Sequence, residues 1–508
     1  MSVVANKPEP IIYEMSRPGA VGFSLPESDV PETPLPEHLL RRDLTLPEVS
    51  EVQVVRHFTR LSQKNYCVDL GMYPLGSCTM KYNPKMNEEA IKLPGFSTIH
   101  PMQDAESVQG ALQLMYELQQ YLAEIVGMGG TTLQPAAGAQ GELTGILVIR
   151  AYHLARGDTA RNEVLIPDSA HGTNPATATM GGFKTIEVKS DKRGNVDLDD
   201  LRKKVGPRTV GMMLTNPNTL GLFEEHVQEV CQIVHEAGGL MYGDGANLNA
   251  IVGVVKPGEL GFDVLHTNLH KTFSVPHGGG GPGSGPVMVR ADLVQFLPGP
   301  IVVQHRSANN GTGAATYALE MPQHSIGRVK SFWGNFLAIV RAYAYIRSFG
   351  RDHLYEIAEY AVLNANYMLA RLRGTYDPAI PERVCKHEFV LDNARFVKDY
   401  HVNTLDIAKR IIDYGFYPGT IYFPLIVHES LMIEPTETES RESLDEYVNV
   451  LLQIAQEAKA NPDLLRSAPH IAPITRLDDV KAAREPVLRF KHKEPMAAMK
   501  EPVPEPTA

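Results

Sequence analysis

Tryptophan occurs once in 508 residues, and there are only four cysteines. Cys67, Cys78, Cys231 and Cys385 lie far apart, with no CxxC pair and no histidines at zinc spacing. That excludes a disulfide framework, and no metal is expected. No stretch approaches the roughly 20 apolar residues needed to cross a bilayer. The start, MSVVANKPEPIIYEMSRPG, also lacks the basic-then-apolar layout of a secretory signal. Positive charge is short as well: 48 Lys+Arg against 59 Asp+Glu leave a net charge of −11, with no basic stripe interleaved with aromatics. Nucleic acid and membrane surfaces are therefore not expected as partners. These absences together predict a cytoplasmic protein in a reducing compartment.

What is present is the composition of a globular chain, 43% hydrophobic and 21% charged. Residues 1–103 are rich in proline and poor in periodicity, which predicts an extended N-terminal arm lying over the chain's own core or a partner's. From Asp104, a candidate N-cap, the apolar positions Val108, Leu112, Met115, Leu118, Leu122 and Ile125 recur at steps of three and four up to Gly127. That spacing predicts an amphipathic helix. Short apolar runs then alternate with helical patterns: 164–166, 185–188, 210–214, 240–242, 264–265 and 287–289 as strands, 198–205 and 225–237 as helices. Such alternation predicts a mostly parallel α/β sheet covered on both faces, with ligands at the carboxyl ends of its strands. A large domain over 104–327 is followed by a smaller α+β domain over 328–480 and a mobile tail over 481–508. In the small domain HEFVL and TIYFPL read as strands, and Ser443 with Glu446 as a capping box opening a long helix.

Chemistry concentrates at the strand ends. Lys271 follows the apolar run 264–265, sits beside His270 and precedes the glycine-rich run 278–285. A lysine so placed suits an amine that forms a Schiff base, although a surface lysine in a glycine loop has the same sequence pattern. Asp244 ends the run 240–242, where a buried carboxylate can salt-bridge a protonated pyridine nitrogen or simply start a turn. AAGAQGE leads into a helix whose first amides can meet a phosphate. His171, in DSAHGTNPATA, follows a further strand and is placed either to lie flat on a cofactor ring or merely to be hydrogen-bonded.

Taken together, AAGAQGE, DSAHGTNPATA, TNPNTLGLFE, DGANLNA and LHTNLHKTFSVPHGGGGPGSGPV resemble the glycine decarboxylase, or P-protein, family of the glycine cleavage system. YPLGSCTMKYNP, FVLD and MIEPTETES extend the resemblance from about Tyr66 to Leu451. It implies a fold-type-I, aspartate aminotransferase-like large domain that binds pyridoxal 5′-phosphate (PLP) on a mostly parallel sheet of the seven-stranded type. A chain of this length is similar to the C-terminal half of the long single-chain form, which also occurs separately as the lysine-bearing subunit 2.

By the same resemblance, Lys271 would carry PLP, Asp244 would pair with its pyridine nitrogen and His171 would stack on its ring. The backbone of Ala139, Gln140 and Gly141 would help hold the phosphate, Ala246 would pack beneath the ring, and Thr215 or Asn216 would reach the 3′-oxygen. His270 would orient the lysine or shuttle a proton, or only pack. Cys78 is the cysteine expected nearest the site, as a redox sensor or a small packed side chain, and Arg328 is one candidate for the glycine carboxylate. Glycine would bind as an external aldimine, release CO₂ and pass its aminomethyl group to the lipoyl arm of H-protein. The implied partners are subunit 1, in an α2β2 heterotetramer, and lipoylated H-protein. A PLP enzyme without a carrier protein would keep Lys271 and Asp244 too, whereas a scaffold subunit would lack the lysine.

Overall fold

The computed structural model describes residues 8–41, 46–277, 283–305, 315–331 and 335–489. Part of the predicted glycine run, 278–282, and residues 490–508 of the predicted tail lie outside the described residues.

Seven strands form the main sheet: β1 Gly130–Thr132, β2 Glu163–Pro167, β3 Lys184–Val188, β4 Thr209–Thr215, β5 Leu240–Gly245, β6 Val264–Thr267 and β7 Val287–Val289. Their order across the sheet is β1-β7-β6-β5-β4-β2-β3. β2 to β6 pair in parallel, while β7 runs against both of its neighbours. The predicted α/β architecture is thus observed, and each predicted strand of the large domain lies within one of these. Near-continuous apolar runs are what a sheet buried on both faces requires. Val164, Ile166, Met213 and Tyr242 pack on one side with Ile146 and Ile149 of helix Gly138–Ala155. Leu165, Met212, Leu214 and Met241 point the other way, toward Val230 and Val234 of helix Val227–Glu236.

Gly145 sets how closely the first of these helices approaches: a Cβ built there would lie 2.3 Å from Cε2 of Tyr242. The helix predicted from Asp104 is a 3₁₀ turn, Ala105–Val108, followed by the α-helix Gln109–Val126. Asp104 makes no side-chain cap there, so the predicted N-cap is not formed. The C-terminal end is as predicted, with Gly127 left-handed at φ 70.

The C-terminal sheet has four antiparallel strands in the order Asp377–Pro378, Phe389–Asp392, Ser430–Ile433, Thr420–Ile421. Only the first two residues of TIYFPL are strand, because Tyr422 turns to φ 57 and Pro424 cannot donate to a ladder. The long helix Arg441–Ala460 is capped by Ser440, which accepts from Ser443 N–H, so the cap lies three residues before the predicted box. Helix Phe336–His353 shares a core with helix Gln109–Val126, whereas Ala365, Met368, Phe389 and Tyr447 form the separate core of the small domain. We propose the partition into arm, large domain, small domain and tail with this helix as the connection.

Residues 1–103 are not extended throughout: Glu51–Ser62, Lys85–Lys92 and Pro94–Ser97 are helical. Ser50 and Gln53 form a capping box that opens the first of them, a local signal that the proline count obscured. Between these helices the segment around 73–83 threads between the two domains. Ser77 N–H donates to Glu388 Oε2 at 2.7 Å and Thr79 N–H to Glu434 Oε2 at 3.1 Å. The buried Lys81 Nζ joins Glu437 Oε1 at 2.6 Å, Thr272 O at 2.8 Å and Asn249 Oδ1 at 3.0 Å. Three distant parts of the chain are thereby bolted together.

Candidate active site

The parallel register lines up one residue from each of three neighbouring strands: Thr215 of β4 opposite Asp244 of β5, and Asp244 opposite His266 of β6. Lys271 comes four residues after β6 ends, in a turn where its own N–H donates to Asn268 O at 3.1 Å. Its Nζ donates to Ser77 O at 2.7 Å, so the arm closes over the lysine. Lys271, Asp244, His171, Thr215 and Ala246 all line one cavity, shared with Ser77, His387 and Glu388.

Asp244 is buried and accepts from Ala246 N–H at 3.1 Å and from His171 Nε2 at 2.6 Å. Thr173 N–H donates to His171 Nδ1 at 3.2 Å, which leaves the imidazole proton on Nε2 to face the carboxylate. Burial alone would raise the Asp244 carboxyl, but His266, His171 and the Ala246 amide outweigh it and hold Asp244 well below the usual carboxylate range. Burial lowers His171, yet its bond to Asp244 prevails and its pKa is raised. His266 lies 3.6 Å from Asp244 Oδ1 and receives a 2.5 Å hydrogen bond at Nδ1 from Tyr242 OH, and burial pushes it down to about 4. Glu142 completes this end, pushed up to about 8 by burial and then by the charge of Asp244. With its amide nitrogen facing the carboxylates, Asn174 donates to Glu142 Oε2 at 2.8 Å and to Asp244 Oδ2 at 3.2 Å.

The start of helix Gly138–Ala155 has no side-chain cap. Its first α-helical bond runs from Gly141 N–H to Ala137 O at 2.9 Å, which leaves the amides of Gly138, Ala139 and Gln140 for an anion. Gly141 instead serves packing, since a Cβ there would lie 2.8 Å from Gly285 O. The Gln140 side chain bridges Ala136 N–H and Val329 O, both at 2.6 Å, and so braces the loop. Among the described residues, several buried polar atoms around the strand ends make no hydrogen bond: Thr215 Oγ1, His266 Nε2, Thr267 Oγ1 and Asn268 Oδ1. Buried groups left this way ordinarily await a ligand or water. An ionised buried carboxylate, a lysine, an open helix start and unpartnered hydroxyls fit PLP, whose ring nitrogen is cationic and whose phosphate is anionic.

Other expected residues lie elsewhere. Asn216 faces away from the cavity, its Oδ1 accepting from Glu224 N–H at 3.0 Å, so Thr215 alone of that pair lines it. His270 lines a neighbouring cavity with His277, Tyr66 and Tyr73; Ser284 N–H donates to its Nδ1 at 3.3 Å, and burial pushes it down to about 3. Arg328 is exposed and does not line the lysine cavity. Cys78 is half-buried beside Ser77, and burial raises its thiol.

The far wall was not anticipated. His387, Glu388 and Glu434 are all buried and bring one ligand atom each within 4.8 Å of one another. Burial, and then the neighbouring Glu434, push Glu388 up to about 8, while burial pushes His387 down to about 3. Their one sequence signal is charge at the ends of apolar strands, His387-Glu388 just before Phe389–Asp392 and Glu434 just after Ser430–Ile433, which does not distinguish an interior acid from an exposed strand end.

Comparison with known proteins agrees with this architecture. Residues 146–312 match the family Aminotransferase class-V, and residues 357–470 match the family Glycine dehydrogenase, C-terminal domain. A crystal structure of glycine decarboxylase (P-protein) of the glycine cleavage system, in inhibitor-bound form, superposes with a TM-score of 0.69 at 21% identity, over 83% of this chain and 93% of that one. "Probable glycine dehydrogenase (decarboxylating) subunit 2" from Bacillus velezensis is 56% identical over 96% of this chain and 98% of its own length. The protein of the same description from Halalkalibacterium halodurans is 57% identical over 96% of this chain and 99% of its own. At that identity over nearly the full length, the chain belongs to the family of glycine dehydrogenase (decarboxylating) subunit 2.

Proposed function

We propose that this chain is the lysine-bearing subunit of a PLP-dependent glycine decarboxylase of the glycine cleavage system. Its reaction removes the carboxyl group of glycine as CO₂ and passes the aminomethyl unit to a lipoyl-bearing H-protein. The observation that carries the reading is Lys271 in one cavity with the buried, ionised Asp244, beside an uncapped helix start, in a chain of this family.

When bound, PLP supplies an electron sink for the pair released as the carboxyl carbon departs. The chain's own residues do the rest. Lys271 would be the covalent anchor, its Nζ held by the Ser77 carbonyl of the arm. Asp244 would keep a proton on the ring nitrogen, and His171, hydrogen-bonded to Asp244 at 2.6 Å, would cover the ring. The amides of Gly138, Ala139 and Gln140 bind the phosphate at the positive end of the helix. Thr215 offers its unpartnered hydroxyl to the 3′-oxygen. The partners that complete the enzyme are a subunit 1 chain, in an α2β2 assembly, and lipoylated H-protein.

The test is an absorbance spectrum of the chain with PLP and its partner subunit, followed by borohydride reduction and peptide mapping. The expected outcome is cofactor fixed on Lys271, glycine/CO₂ exchange that depends on lipoylated H-protein, and loss of both in Lys271→Ala. Exchange that proceeds at the same rate without H-protein would favour a decarboxylase that uses no carrier.

A further inference from the structure

The proposed function requires a receptor for the carboxylate of glycine. Among the described residues, no arginine, the usual partner of such a group, lines the lysine cavity. Most polar groups in that lining are already engaged. Asn218 Nδ2 donates to Gly194 O at 2.8 Å, Thr219 Oγ1 to Ser169 O at 2.5 Å and Asn247 Nδ2 to Glu434 Oε1 at 2.8 Å.

Glu388 differs from all of these. It is buried and lines the cavity, and among the described residues no lysine or arginine forms an ion pair with it; the nearest basic atom is His387 Nε2, 3.9 Å from Oε1. Its neighbour Glu434 accepts from Thr79 N–H at 3.1 Å, Thr79 Oγ1 at 2.5 Å and Asn247 Nδ2 at 2.8 Å, a donor set that suits an ionised carboxylate. Among the described residues Glu388 accepts one hydrogen bond, from Ser77 N–H to Oε2 at 2.7 Å. Two buried carboxyls this close do not both ionise, and the one with fewer donors keeps the proton. Because Oε2 already receives an N–H, that proton sits on Oε1, the free oxygen. His387 lines the same cavity, buried, with Nδ1 unpartnered.

We propose that the carboxylic acid of Glu388, through its Oε1 hydroxyl, is the hydrogen-bond donor that receives the carboxylate of glycine in this cavity. The assignment rests on the proposed function and extends it to the substrate. A neutral acid binds a carboxylate by a short charge-assisted bond without adding a net positive charge. A fixed cation would stabilise the carboxylate that must become neutral CO₂, whereas this acid keeps its proton and needs no counter-charge once the CO₂ has left. Ser77 ties the receptor to the chemistry, since its N–H holds Glu388 and its carbonyl holds Lys271. Among the described residues, the charged and titratable groups facing Glu388 are Glu434, Lys271, His387, Cys78 and Cys385.

The experiment uses the full chain with its partner subunit and PLP, and reads ligand binding from the cofactor spectrum as well as turnover. Methylamine, which is glycine without its carboxylate, is the control ligand. Glu388→Ala is expected to weaken glycine about tenfold or more and to leave methylamine within about twofold, as loss of one hydrogen bond to a charged group requires. Glu388→Gln keeps a donor at the same reach and is expected to stay within about threefold of the wild type for glycine. The wild type is expected to bind glycine more weakly as pH rises through about 8, and Glu388→Gln should abolish that dependence. Unchanged glycine affinity in Glu388→Ala, or equal loss of glycine and methylamine, overturns the assignment while leaving the enzyme reading intact. A wild type that responds to methylamine but not to glycine overturns the substrate reading, and the assignment with it.

Discussion

At the scale of single residues, this site is governed by which buried acid holds a proton. Glu142 and Asp244 are close enough to feel each other's charge, and only Asp244 has histidine and amide donors enough to stay ionised. The sign of the pH effect follows directly. Glu142 has its pKa raised from 4.5 to about 8 in the folded chain, so the fold favours its protonated form. That stabilising preference is whole below pH 4.5 and is lost as pH climbs toward 8, at no more than about 1.4 kcal/mol per pH unit. Glu142→Gln should therefore gain on the wild type across that window, read as the difference in Tm between the two chains from pH 5 to pH 8. A constant difference would show that Glu142 is already ionised at pH 5. Much of this chemistry was legible: Lys271, Asp244 and His171 stand in segments where strand ends are evident from apolar runs, and the cavity contains all three. Glu388 and Glu434 were not, because an acid beside an apolar run reads equally as an exposed strand end. Only the long-range contact with residues 77–79 makes it interior.

At the scale of elements, the sheet was readable because burial on both faces demands unbroken apolar runs, which need no knowledge of neighbours. The arm was misjudged for the opposite reason. Its helix Lys85–Lys92 packs on helix Phe336–His353, where Arg341 pairs with Glu88 at 2.8 Å, and local periodicity in eight residues cannot announce so distant a partner. The closest helix-to-sheet approach depends on Gly145. Alanine there would gain about 1 kcal/mol of helix propensity. Its methyl group would nevertheless press on the fully buried Tyr242, whose hydroxyl is tied to His266. Overpacking of this kind costs about 1–3 kcal/mol, so Gly145→Ala should lower Tm despite the better helix former. It should also loosen the Tyr242–His266 bond, visible as a change in the His266 imidazole NMR shifts. A raised Tm would mean that the helix slides away from the strand at little cost.

At the scale of the whole molecule, Lys81 is the tie between arm, lysine turn and small domain. Removing one member of a buried pair leaves the other charge without compensation, at a cost of about 3–5 kcal/mol. Lys81→Met should lower the urea midpoint accordingly, and adding Glu437→Leu should restore part of the loss. If the double variant unfolds as early as the single one, the attraction between Lys81 and Glu437 is not what the pair contributes. The same tie has a consequence for synthesis. Lys81 and Glu437 are 356 positions apart, and Glu388, which lines the cavity with Lys271, follows the lysine by more than a hundred positions. A ribosome must therefore have released the chain as far as Glu437 before the lysine's surroundings can close. Until then the nascent sheet presents an open reactive amine and an unshielded strand-end cleft, an interval in which a chaperone would find its natural point of entry.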